Sequence, residues 1–93
     1  MKRTKSADLA KKLNIAPSRA LEAIFKAKLI AAVVKVAKKK ELTHEALAER
    51  SGLPRSAVTG ILSGSVQKVT IDRVLRLVEA AGLIAEVKIR EVA

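Results

Sequence analysis

Leu42–Gly64 reads LTHEALAERSGLPRSAVTGILSG, and this stretch decides the fold. Thr43 stands where a helix N-cap belongs, because its hydroxyl can accept a hydrogen bond from a free N–H of the first turn. His44 to Ser51 follow as a short helix with Ala46, Leu47 and Arg50 at helical spacing. Gly52 ends that helix, Leu53 is an apolar turn residue suited to burial, and Pro54 opens a second helix that runs to Ser63-Gly64. Two short helices meeting at a glycine-containing turn predict a helix-turn-helix.

Outward from this centre, Ser65 to Val69 read as a loop, and Thr70 caps a helix from Ile71 to Ala81. Asp72 in its first turn suits the helix dipole, Val74, Leu75, Leu77 and Val78 supply an apolar face, and Gly82 terminates it. On the other side, a long helix is expected from about Pro17 to Lys39. Leu21, Phe25, Leu29, Ala32 and Val36 mark one apolar face, and Ala23, Ala27, Ile30, Val34 and Ala37 mark a second. A helix apolar on two sides needs two surfaces to pack against. Its end, Lys38-Lys39-Lys40, places cations at the carbonyl end of the dipole, which is a sufficient structural reason for them. Before it, Ala7 to Asn14 form a short helix capped by Ser6, and residues 1–6 form a basic flexible arm. After Gly82 the period changes: Ala85, Val87 and Ile89 alternate with Glu86, Lys88 and Arg90, as in a half-buried strand. A lone strand leaves its ladder groups unpaired, so pairing with its copy in a homodimer is expected. The chain thus divides into an arm (1–6), a helical domain (7–82) with the helix-turn-helix at 43–63, and a strand or tail (83–93).

Composition narrows the function. Ninety-three residues make one domain, and with Phe25 the only aromatic the core must be aliphatic. Nineteen Lys and Arg against nine Asp and Glu give a formal charge of +10, which attracts polyanions and above all nucleic acid. Without cysteine there are no disulfides or thiolate metal sites, consistent with a reducing cytoplasm. No apolar run is long enough to span a bilayer, so no membrane association is expected. His44 is the only histidine and HEALA lacks the second one of a zinc-binding H-E-x-x-H; no P-loop or nucleophile elbow appears. Neither catalysis, a metal nor a cofactor is expected.

In a basic helix-turn-helix the second helix can lie in a DNA major groove. Ala57, Val58, Ile61 and Leu62 face inward, which leaves Arg55, Ser56, Thr59 and Gly60 outward to read bases. The Arg55 guanidinium can donate twice to guanine O6 and N7, the Thr59 methyl can meet a thymine methyl, and Gly60 permits close approach or close packing. Phosphate contacts are expected from Thr43 and His44 at the start of the first helix, and from Ser63, Ser65, Gln67 and Lys68 beyond the second. Arg50 has three acidic partners in reach of sequence reasoning: Glu45, Glu49 and Asp72.

LTHEALAERSGLPRSAVTGILSG followed by VTIDRVLRLVEAAG resembles the Xre family of helix-turn-helix regulators, which includes phage Cro and repressor proteins. The family pattern is L-T-Q-x-x-L-A-x-x-x-G, then S-x-[VI]-S and N-G. His44 stands here where glutamine is usual, Thr59 where serine is common, and Ser63 where asparagine precedes the glycine. The resemblance implies a five-helix, mainly α, lambda-repressor-like domain, to which this chain adds the short C-terminal β-strand. It also implies a role in transcription regulation, with Pro54, Arg55, Ser56, Thr59 and Gly60 as the reading set. The long leading helix and the alternating tail further resemble antitoxins of toxin–antitoxin pairs, implying a toxin protein as a second partner beside double-stranded DNA.

Overall fold

The computed structural model describes residues 17–92, and these form four helices: α1 Pro17–Lys39, α2 His44–Ser51, α3 Arg55–Leu62 and α4 Ile71–Ala80. The expected arm at 1–6 and helix at Ala7–Asn14 lie outside the described residues. One aliphatic core joins all four helices: Ile30, Val33 and Ala37 of α1, Leu47 of α2, Val58 and Ile61 of α3, and Val74, Leu77 and Val78 of α4. Leu53 of the α2–α3 turn belongs to it, as its place between two short helices suggested.

Both expected threonine caps are present. Thr43 Oγ1 accepts from the Ala46 N–H at 3.0 Å, and Thr70 Oγ1 accepts from the Arg73 N–H at 3.3 Å. Glu45 and Asp72 add negative charge to the same first turns, where the N–H ends of the helices favour it. Three of the helices end alike. At the ends of α1, α3 and α4 a left-handed residue (Glu41, Gly64 and Gly82) lets the next N–H reach back five residues, Leu42 to Ala37, Ser65 to Gly60 and Leu83 to Val78. These backward bonds satisfy helix-end carbonyls, and Leu42 and Leu83 then pack on the core. Glu41 is the only non-glycine with positive φ among the described residues, at 54°. A side chain there costs about 1–2 kcal/mol relative to the right-handed region. Glu41→Gly is therefore expected to raise stability by about 1 kcal/mol, somewhat less than the strain because glycine also loosens the unfolded chain. A higher denaturant midpoint at unchanged slope checks this.

The structure corrects several expectations. α1 buries one edge of the second face, Ile30 and Ala37, together with the strip between the two faces. Val33, on neither face, is fully buried, whereas Leu21 and Phe25 are 40% and 47% exposed and Ala23, Ala27 and Ala32 are exposed. Apolar residues lie nearly all round this helix, so periodicity alone selects no side. In its first half, Ala20 is buried, and so is Lys26, paired with Glu22 at 3.1 Å. Arg50 reaches none of its three acidic candidates; its Nη1 donates to the Ala80 carbonyl at 3.3 Å, while Asp72 pairs with Arg76 at 3.2 Å. α4 has no basic residue in its own last turn, so Arg50 supplies the cation there, and Lys40 Nζ lies beside Gly82. Residues 83–92 form no strand among the described residues. Ile84, Val87, Ile89 and Val92 are at least three-quarters exposed, and Ala85 is exposed.

Candidate nucleic-acid interface

α3 starts at Arg55 rather than at Pro54, which is its N-cap with φ −60° and ψ 144°, and it ends at Leu62 with Ser63 as C-cap. Unlike α2 and α4, it has no capping side chain and no acidic residue in its first turn. Its first turn therefore holds no carboxylate of its own, the condition under which a helix start favours an external anion.

The two sides of α3 differ sharply. Val58 and Ile61 are sealed in the core at 0% and 2% exposure, with Ala57 and Leu62 half-buried beside them. Pro54, Arg55, Ser56 and Thr59 are all exposed. The four residues expected inward and the polar residues expected outward thus fall on those sides. Gly60 is half-buried, yet a Cβ built on it meets nothing within 4 Å. Close packing inside the chain therefore does not explain this glycine, and the space above it is open to a partner.

The expected phosphate-contacting residues flank this face with different hydrogen-bonding capacity. Thr43 accepts through its oxygen in the cap and keeps its hydroxyl proton to donate. Ser63 Oγ donates to the Gly60 carbonyl at 2.9 Å, so its proton is already engaged; contact with a phosphate through it requires that bond to break. Ser65 is exposed just past the α3 end. Gln67 and Lys68 occupy the tip of a turn closed by the Val69 N–H donating to the Val66 carbonyl at 3.2 Å. Val66 and Val69 pack against the core and so hold the exposed pair outward.

His44 is not a free surface histidine. It is half-buried, and its Nδ1 lies 2.9 Å from Thr59 Oγ1, tying the first residue of α2 to the outward side of α3. Both residues line an open groove of about 480 Å³ whose walls also include Val34, Ala37, Lys38, Glu41, Leu42, Leu62 and Ser63. Lys38 thereby joins Thr59 and Ser63 on one side of the molecule. Nothing in the sequence singles it out from Lys39 and Lys40, because only the inter-helix arrangement decides which lysine of the run turns toward α3.

A family model described as helix-turn-helix domain matches residues 17–90. The chain belongs to the helix-turn-helix domain family. The match takes in all four described helices, and with the exposed polar side of α3 it makes this a helix-turn-helix protein of the DNA-binding kind. Neither the curated proteins nor the solved structures yielded a match. Within this helix-turn-helix protein, no described helix is long and apolar enough to cross a membrane.

Proposed function

We propose that this protein is a sequence-specific transcriptional regulator, acting as a repressor of the Xre kind, that reads the major groove with α3 as a homodimer in the cytoplasm. One observation carries the reading: Arg55, Ser56 and Thr59 are exposed together on α3, while Val58 and Ile61 anchor its opposite side in the core. Arg55 reads guanine through its two-pronged guanidinium, and Pro54, Ser56, Thr59 and Gly60 complete the reading surface. Thr43, His44, Ser63, Ser65, Gln67 and Lys68 fix the register on the backbone, with the +10 charge supplying non-specific attraction. In the dimer, the strand-like tail pairs with its copy through Ala85, Val87 and Ile89. The exposure of Ile84, Val87, Ile89 and Val92 supports such a partner. Two reading helices then meet successive major grooves about 34 Å apart.

Selection of bound duplexes from a random pool tests this reading. A palindromic motif with half-sites about one helical turn apart is the expected product; recovery of unrelated sequences at low salt speaks against it. Lys68 touches phosphate only, so Lys68→Ala is expected to weaken all duplexes alike. It should also reduce the slope of log affinity against log salt by about one. A changed base preference in that variant would reassign Lys68 to base reading.

A second reading has its own support. Leu21 and Phe25 remain 40% and 47% exposed on the first half of α1, and such apolar side chains suit a protein partner. The protein is then an antitoxin that masks a toxin and represses its own operon. Co-purification of a small protein encoded beside the gene, lost in Phe25→Asp, distinguishes this reading from the first.

A further inference from the structure

We propose that His44 sets the hydrogen-bonding sense of Thr59 toward a base edge, and that proton uptake by the His44 imidazole reverses it. This rests on the reading of α3 as the base-reading helix and adds a regulated specificity to it.

The geometry is a single contact, His44 Nδ1 to Thr59 Oγ1 at 2.9 Å. Among the described residues the Thr59 hydroxyl makes no other side-chain hydrogen bond, and Thr59 is exposed on the outward side of α3. A hydroxyl has one proton and two lone pairs, so what it shows outward depends on what it does inward. With a neutral imidazole protonated at Nε2, bare Nδ1 accepts the Thr59 O–H. Thr59 then presents only lone pairs to the groove and matches the amino groups of adenine N6 or cytosine N4. When the ring takes one proton from solvent, it lands on Nδ1, and Nδ1–H now donates to Thr59 Oγ1. The hydroxyl hydrogen turns outward, and Thr59 becomes a donor matched to guanine O6 or N7 or to thymine O4.

Charged groups stand around the contact on more than one element. Lys38 from the end of α1 and Glu41 from the α1–α2 turn line the same groove with opposite signs, and Glu45 follows His44 on α2. α3 contributes only the uncharged Thr59 and Leu62 to the groove wall, followed by Ser63, and its one charged residue, Arg55, lies exposed four residues before Thr59. Lys38, Glu41 and Glu45 are exposed, so salt screens them. Histidine is the side chain whose charge ordinarily changes between about pH 5 and 8, so the comparison is made on either side of that range. His44 is a positioning residue here: it acts on the base through Thr59.

Duplexes selected from a random pool at about pH 5.5 and about pH 8.5, on either side of that range, test the proposal on wild-type, His44→Gln and Thr59→Val proteins. In the wild type, preference at one position is expected to move from adenine or cytosine toward guanine or thymine at the lower pH. The ratio should change by about fivefold, the worth of one net hydrogen bond. Glutamine does not titrate and valine lacks the hydroxyl, so in both variants, whatever their overall affinity, the preference at that position should be the same at both pH values. Nitrogen NMR of the free wild-type protein at the higher pH should find the His44 proton on Nε2. A wild-type motif identical at both pH values overturns the proposal and leaves base reading by α3 intact. So does a shift that persists in Thr59→Val, or a neutral ring protonated at Nδ1. Failure to recover any motif at either pH overturns the base reading itself, and the proposal with it.

Discussion

Leu47→Ala is expected to lower the unfolding free energy by about 2–5 kcal/mol. Leu47 is the fully buried residue of α2, at 0% exposure, and α2 is only eight residues long. A helix that short does not hold itself together in water; it persists because one side is packed. Leu47 provides that packing against α3 and α4, so truncating it removes apolar transfer energy and leaves a void in a core with no aromatic side chain to fill it. Small domains are stable by roughly 5–15 kcal/mol, so the loss takes a large share of the total. Leu75→Ala is the matched control: the same chemical change on α4, at a side chain 42% exposed. Urea unfolding of both variants at one fixed protein concentration makes the comparison, since association shifts apparent stability. A Leu47 effect no larger than that at Leu75 would show that α2 is not held as described.

Arg55→Ala is expected to weaken binding to the selected duplex by about 1–3 kcal/mol and to flatten preference at one guanine position. Arg55 is the first residue of α3, exposed, and among the described residues it forms no ion pair or side-chain hydrogen bond. Its guanidinium is therefore free to donate both bonds to one base edge. Uncapped by any side chain, the start of α3 also keeps its N–H groups for an anion, so affinity should not vanish with Arg55. Titration of variant and wild type on duplexes differing at single positions separates the outcomes. Uniform weakening with unchanged base preference would make Arg55 a phosphate contact.

The sequence was most readable where local chemistry decides structure. Thr43 and Thr70 cap helices, Gly52 and Gly82 adopt positive φ, and Val58 and Ile61 face inward, all from signals within one or two turns. Legibility ended where the deciding partner lies far along the chain. Arg50 seeks a carbonyl thirty residues away rather than a nearby carboxylate, and His44 meets Thr59 across fifteen residues. Neither follows from composition, because a backbone acceptor leaves no mark in the sequence and an inter-helix contact depends on how two short helices cross. α1 failed differently: apolar residues surround it, so only the packing of α4 and α3 on Val33 selects its buried strip. The alternation of the tail is plain in sequence, but a ladder needs a second strand, and among the described residues the segment 83–92 finds none.

The most direct test of α3 as a major-groove reader is methylation interference on the selected duplex. Methylation of guanine N7, which lies in the major groove, is expected to block binding at the guanine facing Arg55 in each half-site. Methylation of adenine N3, in the minor groove, should leave binding at those positions unchanged. Interference confined to adenine N3, with N7-methylated guanines bound as well as unmodified ones, contradicts the placement of α3 in the major groove.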